Sequence, residues 1–324
     1  MQDGLGKVKP SPSSFYEERQ MPQGPSYGGQ AVMEGVLMRG RTHSAIAVRR
    51  PQGDIITKIE PAGLWGSSPL RKYPFTRGLV ILGESLVKGM SALQWSANVA
   101  LEQEGQEVSG RQMAVTMFMA ILVAGVIFFA TPAVVAGWTE ELLPPFVVHL
   151  LEGVIRIGFL LAYLLVIGRM PDVRRLFAYH GAEHKTIHAY EAGVPLVISE
   201  IQRFSPAHPR CGTSFLLTVM VVAVFVFAFL GQPPVEWRIL SRVLLLPVVA
   251  GVSYEVLRFG ATHLGNLFVT LFVGPGLALQ KLTTREPDDD QVEVALAAFH
   301  ALREVEAREG VLPESDSGHA EINA

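Results

Sequence analysis

The chain has a single cysteine, Cys211, in 324 residues. That excludes an internal disulfide and fits a reducing compartment. Two long stretches lack charge altogether: neither Ala114 to Gly137 nor Thr213 to Leu230 contains an acid or a base. Ordinary soluble helices keep a polar face, so this lack argues against a wholly soluble fold. No short apolar core followed by a cleavage site opens the chain, so no signal peptide is expected. There is no internal repeat, which weighs against the repeat-built transporters. Basic residues are scarce at the far end: Lys281 to Ala324 holds eleven acids against four bases, an unsuitable surface for nucleic acid.

Apolar side chains are plentiful, at 49% of the residues, with a mean hydropathy of +0.31. Runs of about 18 or more apolar residues can cross the hydrocarbon layer of a bilayer. Four such spans are expected: 114–137, 147–167, 213–230 and 239–259. The second carries Glu152 and Arg156, and the fourth carries Arg242, Glu255 and Arg258. A fifth stretch, 264–279, contains Gly274-Pro275-Gly276, which is expected to break a helix and leave a re-entrant or in-plane segment. The lipid bilayer is thus the first partner.

Basic residues set the orientation. From Tyr27 to Lys88 there are nine Lys/Arg against four acids, and the loop 169–211 carries six Lys/Arg. Both regions are expected on the cytoplasmic side, and so are the N- and C-termini. The expected class is a mainly α, multi-pass helical membrane protein with a small cytoplasmic β-hairpin region. Its segments are a disordered 1–26, a hairpin and amphipathic in-plane helix over 27–111, and a transmembrane bundle over 112–280. A cytoplasmic amphipathic helix over 281–310 and a disordered tail over 311–324 follow. The hairpin pairs Ser44–Arg50 with Ile55–Glu60 across Pro51-Gln52-Gly53-Asp54. The in-plane helix covers Thr76 to Leu101, with Leu79, Leu82, Leu86, Met90 and Leu93 on one face.

Chemistry concentrates at Tyr179 to Glu191, which reads Y-H-G-A-E-H-K-T-I-H-A-Y-E. On a helix, His180, His184 and His188 stack at i, i+4 and i+8, and Glu183 and Glu191 flank the stripe. Imidazoles and carboxylates on one face suit a divalent metal ion, Zn²⁺ first. His180-x-x-Glu183-His184 has the form in which two histidines hold metal and the glutamate between them acts as base. Glu183 is therefore the candidate catalytic base. His180 and His184 are the first candidate ligands, with His188, Glu191 or Glu255 as a third. Glu255 lies 71 residues after His184. The ordinary alternative is a polar helix whose histidines bond to backbone.

His208-Pro209-Arg210-Cys211-Gly212-Thr213-Ser214 adds His208 as a further nitrogen donor. Cys211 could add a sulfur ligand, or act as a nucleophile with His208 nearby, but it is read first as a small packed residue in a loop leading into the third span. Glu34, in Gly28-Gly29-Gln30-Ala31-Val32-Met33-Glu34-Gly35-Val36-Leu37-Met38-Arg39-Gly40, is read as an ion-pair partner. Those glycines do not match a phosphate-binding loop. The charges within the spans read as i,i+4 (Glu152, Arg156) and i,i+3 (Glu255, Arg258) pairs that each neutralise themselves on one helix, with helix–helix glue and snorkelling ends as their ordinary role.

Four ordered motifs carry a resemblance: G-G-Q-A-V-M-E-G-V-L-M-R-G, Y-H-G-A-E-H-K-T-I-H-A-Y-E, H-P-R-C-G-T-S-F and T-T-R-E-P-D-D. Over roughly residues 27 to 300 the chain resembles the bacterial YqhQ-like family, a domain of unknown function labelled as a predicted metal-dependent membrane enzyme. The resemblance implies a bacterial inner-membrane location and supplies no reaction. The leading expectation is a metal-dependent hydrolase at the cytoplasmic face. A membrane scaffold that docks a cytoplasmic protein partner is the alternative. A small transporter would need an oligomer.

Overall fold

The computed structural model describes residues 27–63, 68–105, 107–208, 211–231, 234–262 and 267–311. The expected disordered segment 1–26, all of the expected disordered tail 311–324 except Val311, and Pro209-Arg210 of the H-P-R-C-G-T-S-F motif lie outside the described residues. The fold is mainly helical, with one small antiparallel sheet.

Four strands form a meander: β1 (Gly28–Val32), β2 (Gly35–Arg39), β3 (His43–Arg49) and β4 (Ile55–Pro61). The expected hairpin is β3–β4, in the register Val48 opposite Ile56 and Ala45 opposite Ile59. The glycine-rich stretch before it is a second hairpin, which the sequence reading did not assign. Its two-residue turn is Met33-Glu34, with Glu34 at φ 52°. Strand β2 is buried on both faces, so it shows no polar alternation. Val36 and Met38 face one core with Ala45 and Ala47 of β3, while Leu37 faces another with Ile46 and Val48.

Helices α5 (Pro171–Glu191) and α11 (Asp289–Arg308) cover the first face, through Tyr179, Ala182, Val292, Ala295 and Phe299. Asp288 caps α11 in a reciprocal box with Gln291. Helix α1 (Thr76–Ala100) covers the second face through Ala92 and Val99. It has the expected bounds but turns its polar side inward. Glu84 is fully buried and bonded by Arg39 and Arg71, and Lys88 reaches Glu60 at 3.1 Å. Leu79, Leu86 and Val87 point outward. A four-residue turn of helix, α6 (Ile198–Ile201), lies beyond α5.

The apolar part begins with α2 (Gly110–Gly125), which continues through a π-helical turn (Val126–Ala130) into α3 (Thr131–Gly137). Pro132 cannot donate to the Phe128 carbonyl one turn back. Arg156 Nε on the next helix donates to it instead, at 2.9 Å. Helices α4 (Pro145–Ile167), α7 (Gly212–Ala228), α8 (Val235–Leu244), α9 (Leu246–Thr262) and α10 (Leu267–Thr283) complete this part. α7 packs on α4, α9 and α10.

Among the described residues, two helical stretches are long and apolar enough to cross a membrane, Gly110–Gly137 and Pro145–Ile167. A bent pair, Glu236–Leu244 with Leu246–Gly260, raises that to three if it counts as one span. The four expected spans are thus corrected to two or three. The stretch expected at 213–230 is a 17-residue helix that ends at Ala228. The one expected at 239–259 bends by 46°. Pro247 follows the bend, and a proline ring clashes with the turn before it. α10 runs through Pro275 instead of breaking at the glycine–proline triplet. Gly276 serves packing there, because a Cβ would lie 2.8 Å from Ser214 Oγ on α7.

The ion pairs also differ from expectation. Glu152 bonds Arg156 at 2.5 Å as expected, but its second oxygen binds Arg242 of α8 at 2.9 Å. Glu255 also pairs with Arg77 of α1, a partner the sequence reading did not assign.

Candidate metal centre

Helix α5 runs unbroken through Gly181, so its histidine stripe is regular. Gly181 is needed because a Cβ would collide with the Arg285 carbonyl, where the link from α10 to α11 crosses the helix. Gly193, at φ +64°, ends the helix in the left-handed conformation that favours glycine.

Two groups of donors form along the stripe. The first joins His180, His184 and Cys211, whose ligand atoms all lie within 4.8 Å of one another. His180 Nδ1 donates to the Thr283 carbonyl at 2.9 Å, and His184 Nδ1 donates to the Pro206 carbonyl at 2.6 Å. A carbonyl can only accept, so each of these Nδ1 atoms carries the proton. In the neutral rings both Nε2 lone pairs are therefore available. Such a tether to backbone is the usual outer support of a metal-binding imidazole. Cys211 Sγ sits 3.3 Å from His180 Nε2 and 3.1 Å from Thr213 Oγ1.

Glu183 lies under these two rings. Its Oε2 is 3.9 Å from His180 Nε2 and 3.7 Å from His184 Nε2. That oxygen is buried and has no hydrogen-bond partner. The Gly29 backbone N–H, from the first strand, bonds the same carboxyl. Gly29 itself leaves no room for a side chain, since a Cβ would meet the Leu37 carbonyl and lie 3.1 Å from Glu183 Cγ. Burial pushes the Glu183 carboxyl up to about 8, with nearby His180 pulling the other way. Burial also holds His184 well below the usual imidazole range, and places His208 at about 4. The Cys211 thiol is raised by burial as well. Burial thus disfavours the charged forms of Glu183, His184, His208 and Cys211 alike. The cleft above it is lined by Tyr27, Gly28, Gly29, Ile187 and Gly212, together with the cluster residues.

The second group joins His188, Glu191 and His208, again with ligand atoms within 4.8 Å of one another. His188 Nε2 donates to the Ala207 carbonyl at 2.8 Å, and His208 Nε2 lies 3.4 Å from Glu191 Oε2. The buried Gln280 amide clamps His208 from α10, accepting from its N–H and donating to its carbonyl, both at 2.8 Å.

Six of the seven candidate residues are thus brought together, but as two groups. His188, Glu191 and His208 do not join His180 and His184 around one point. Glu255 is not brought to either group, because Arg77 and the Phe75 N–H occupy its carboxylate. Glu34 pairs with Arg175 and accepts from Tyr179, so it stays apart from the donors. Cys211, read from sequence as a packing residue, stands beside His180. The signal that could have placed it was its position three residues after His208. The tethers Gly29, Pro206 and Thr283 act through backbone atoms, and backbone contacts leave no residue-type pattern to find.

No solved structure matches the chain. It is 35% identical over 298 residues to the Uncharacterized protein YqhQ of Bacillus subtilis (strain 168), covering 87% of this chain and 94% of that protein. Residues 73–305 match the family described as Protein of unknown function (DUF1385). The histidine helix, Cys211 and α10 all fall inside that match, and the chain belongs to this YqhQ-like family of unknown function.

Proposed function

We propose that the chain is an integral membrane protein with a divalent-metal centre at the cytoplasmic face of the inner membrane, and that this centre serves hydrolytic chemistry. One observation carries the reading: His180 Nε2, His184 Nε2 and Cys211 Sγ converge above a buried, unpartnered oxygen of Glu183. A buried acceptor without a partner costs about 1–3 kcal/mol, which a cation in its place would remove. Two imidazoles, a thiol and a carboxyl suit Zn²⁺ best among common divalent ions.

His180, His184 and Cys211 would hold the ion. When bound, it supplies a Lewis acid that polarises a substrate carbonyl or phosphoryl oxygen. The chain's own residues do the rest. The Thr283 and Pro206 carbonyls keep both rings in the ligating tautomer. Glu183 takes a proton from the attacking water and returns it to the leaving group. The Gly29 N–H holds that carboxyl in place, and Tyr27 and Ile187 wall the cleft against bulk water.

The membrane part of the reading rests on apolar exposure. None of the most apolar window of Gly110–Gly137 is buried inside the protein, and Phe118, Ile121, Leu122 and Val123 all point outward. An exposed patch of that extent needs an apolar medium. Leu79, Leu86 and Val87 of α1 are exposed as well, as on a helix lying on the inner leaflet. The basic residues of 27–88 and 169–211 support a cytoplasmic position for this side.

The test is elemental analysis of detergent-purified protein beside a His180→Ala/His184→Ala variant. Near-stoichiometric metal that disappears in the variant is the expected result. Glu183→Gln is expected to keep the metal and lose hydrolysis. No metal in the wild type, even after re-addition, would favour the scaffold reading. That reading has one observation of its own, the edge strand β4 with Ile59 exposed, where a cytoplasmic protein could add a strand.

A further inference from the structure

We propose that His188, Glu191 and His208 form a second cation site, separate from the first, which clasps the loop after α6 onto α5. Its ligands differ from those of the centre proposed above, so either site can stand without the other.

The argument begins with spacing. On α5 the pair His180/His184 and the pair His188/Glu191 have midpoints about seven residues apart, or roughly 11 Å of helix rise. Ions bridged in one two-metal centre sit about 3.5–4 Å apart. The two donor groups are therefore too distant along the helix to act as one bridged pair. His208 lies between them, with its ring centroid 5.6 Å from His184 and 4.5 Å from His188. Its Nε2 nevertheless faces Glu191, at 3.4 Å, which assigns it to the second group.

Chemistry separates the groups as well. The first contains sulfur. The second contains two imidazoles and a carboxylate, a set of nitrogen and oxygen donors for Zn²⁺, Mn²⁺ or Fe²⁺.

The connections give the site its role. The loop from Arg203 to His208 supplies three consecutive contacts to α5. The Pro206 carbonyl tethers His184, the Ala207 carbonyl tethers His188, and His208 faces Glu191. A cation on His188, Glu191 and His208 would cross-link that loop to the helix next to the His184 tether.

The test is titration of the metal-free full-length protein in detergent with Co²⁺, whose bond to a thiolate gives a charge-transfer absorption that nitrogen and oxygen ligands do not. The wild type is expected to take up two equivalents, with the thiolate band saturating after one. A His188→Ala/Glu191→Gln variant with wild-type helicity is expected to take up one equivalent with the band intact. Glu191→Gln alone, the milder change, is expected to weaken the second equivalent more than about tenfold. Uptake of a single equivalent, with the band, by wild type and variant alike would overturn the second site and leave the first. One equivalent without the band, lost in the variant, would support the second site and overturn the first. No uptake by the wild type would overturn both.

Discussion

Helices α2 and α5 invert the usual relation between hydropathy and burial. α2 is almost wholly apolar, yet none of its residues is buried. α5 is far more polar, yet ten of its 21 residues are buried, including Glu183, His184 and Lys185. In a water-soluble globule the apolar helix would lie inside and the polar one outside. The inversion shows that the two helices answer to different surroundings. α2 leaves its apolar side chains uncovered by the rest of the described chain, and α5 buries polar side chains whose partners include the Pro206 and Thr283 carbonyls. α1 does both at once, with Glu84 and Lys88 facing the sheet and Leu79 and Leu86 facing out.

The comparison breaks most severely if charge is placed on the apolar side. An Ile121→Lys/Phe118→Asp variant should fail to integrate into membranes, because a charge at the centre of a span costs about 2.5–3.5 kcal/mol on insertion scales. Carbonate extraction of membranes reads this directly, and full retention in the pellet would refute the lipid-facing role of α2.

A buried charge removed from the bundle comes next. Arg242→Leu strips one of two arginines from Glu152 and should destabilise the protein by about 3–5 kcal/mol, the usual cost of breaking a buried pair. A thermal midpoint in detergent within a degree of wild type would show that Arg156 alone satisfies Glu152.

The polar helix offers a finer test through pH. Glu183 has its folded pKa raised to about 8 from an ordinary 4.5. A raised carboxyl favours the protonated form in the folded state, so its contribution is fully present below the unfolded value and is lost as pH rises through the folded one. Buried His184 and His208 act in the opposite direction, but only below about 6.5, their unfolded value. Metal-free protein should therefore lose stability from about pH 6.5 to 8, by up to about 1.4 kcal/mol per pH unit. Glu183→Gln should flatten that slope, and saturating Zn²⁺ should too. The check is a set of thermal melts with chelator at several pH values. An identical slope in Glu183→Gln would assign the loss to another group.

The smallest effect expected is at the junction of the two regions. Ser109 and Gln112 form a reciprocal cap at the start of α2. Ser109→Ala should cost about 1 kcal/mol, seen as a small drop in melting temperature without loss of membrane integration or metal.

What could be read from the sequence followed from local periodicity. The α5 stripe, the β3–β4 hairpin, the bounds of α1 and a helix within 281–310 all rest on patterns that repeat within a few residues, and each is found as a helix or strand. The β1–β2 hairpin escaped because its turn is Met33-Glu34, with none of the Asn-Gly or Asp-Gly chemistry that marks tight turns. Strand β2, covered on both faces, also removed the alternation that would have betrayed it. The buried side of α1 was inverted because Glu84 and Lys88 find partners on β2, β4 and the turn at Arg71, which lie far away in the chain. Glu255 was a candidate ligand on spacing alone, and spacing along the chain does not show that Arg77 already holds it. Cys211 was the reverse case. Its nearest ring belongs to His180, 31 residues earlier, a distance no local pattern covers.

Helix α10 has a consequence for how the two regions communicate. Its Leu279 packs in the bundle with Leu160, Leu164 and Met220. The next residue, Gln280, grips the His208 backbone, and the carbonyl of Thr283, one turn on, holds His180. One helix thus has its shaft among the apolar helices and its tip on the His180 ring and the His208 backbone. A tilt or piston displacement of that helix would move both together, so the packing of the bundle and the aim of the donors are mechanically linked.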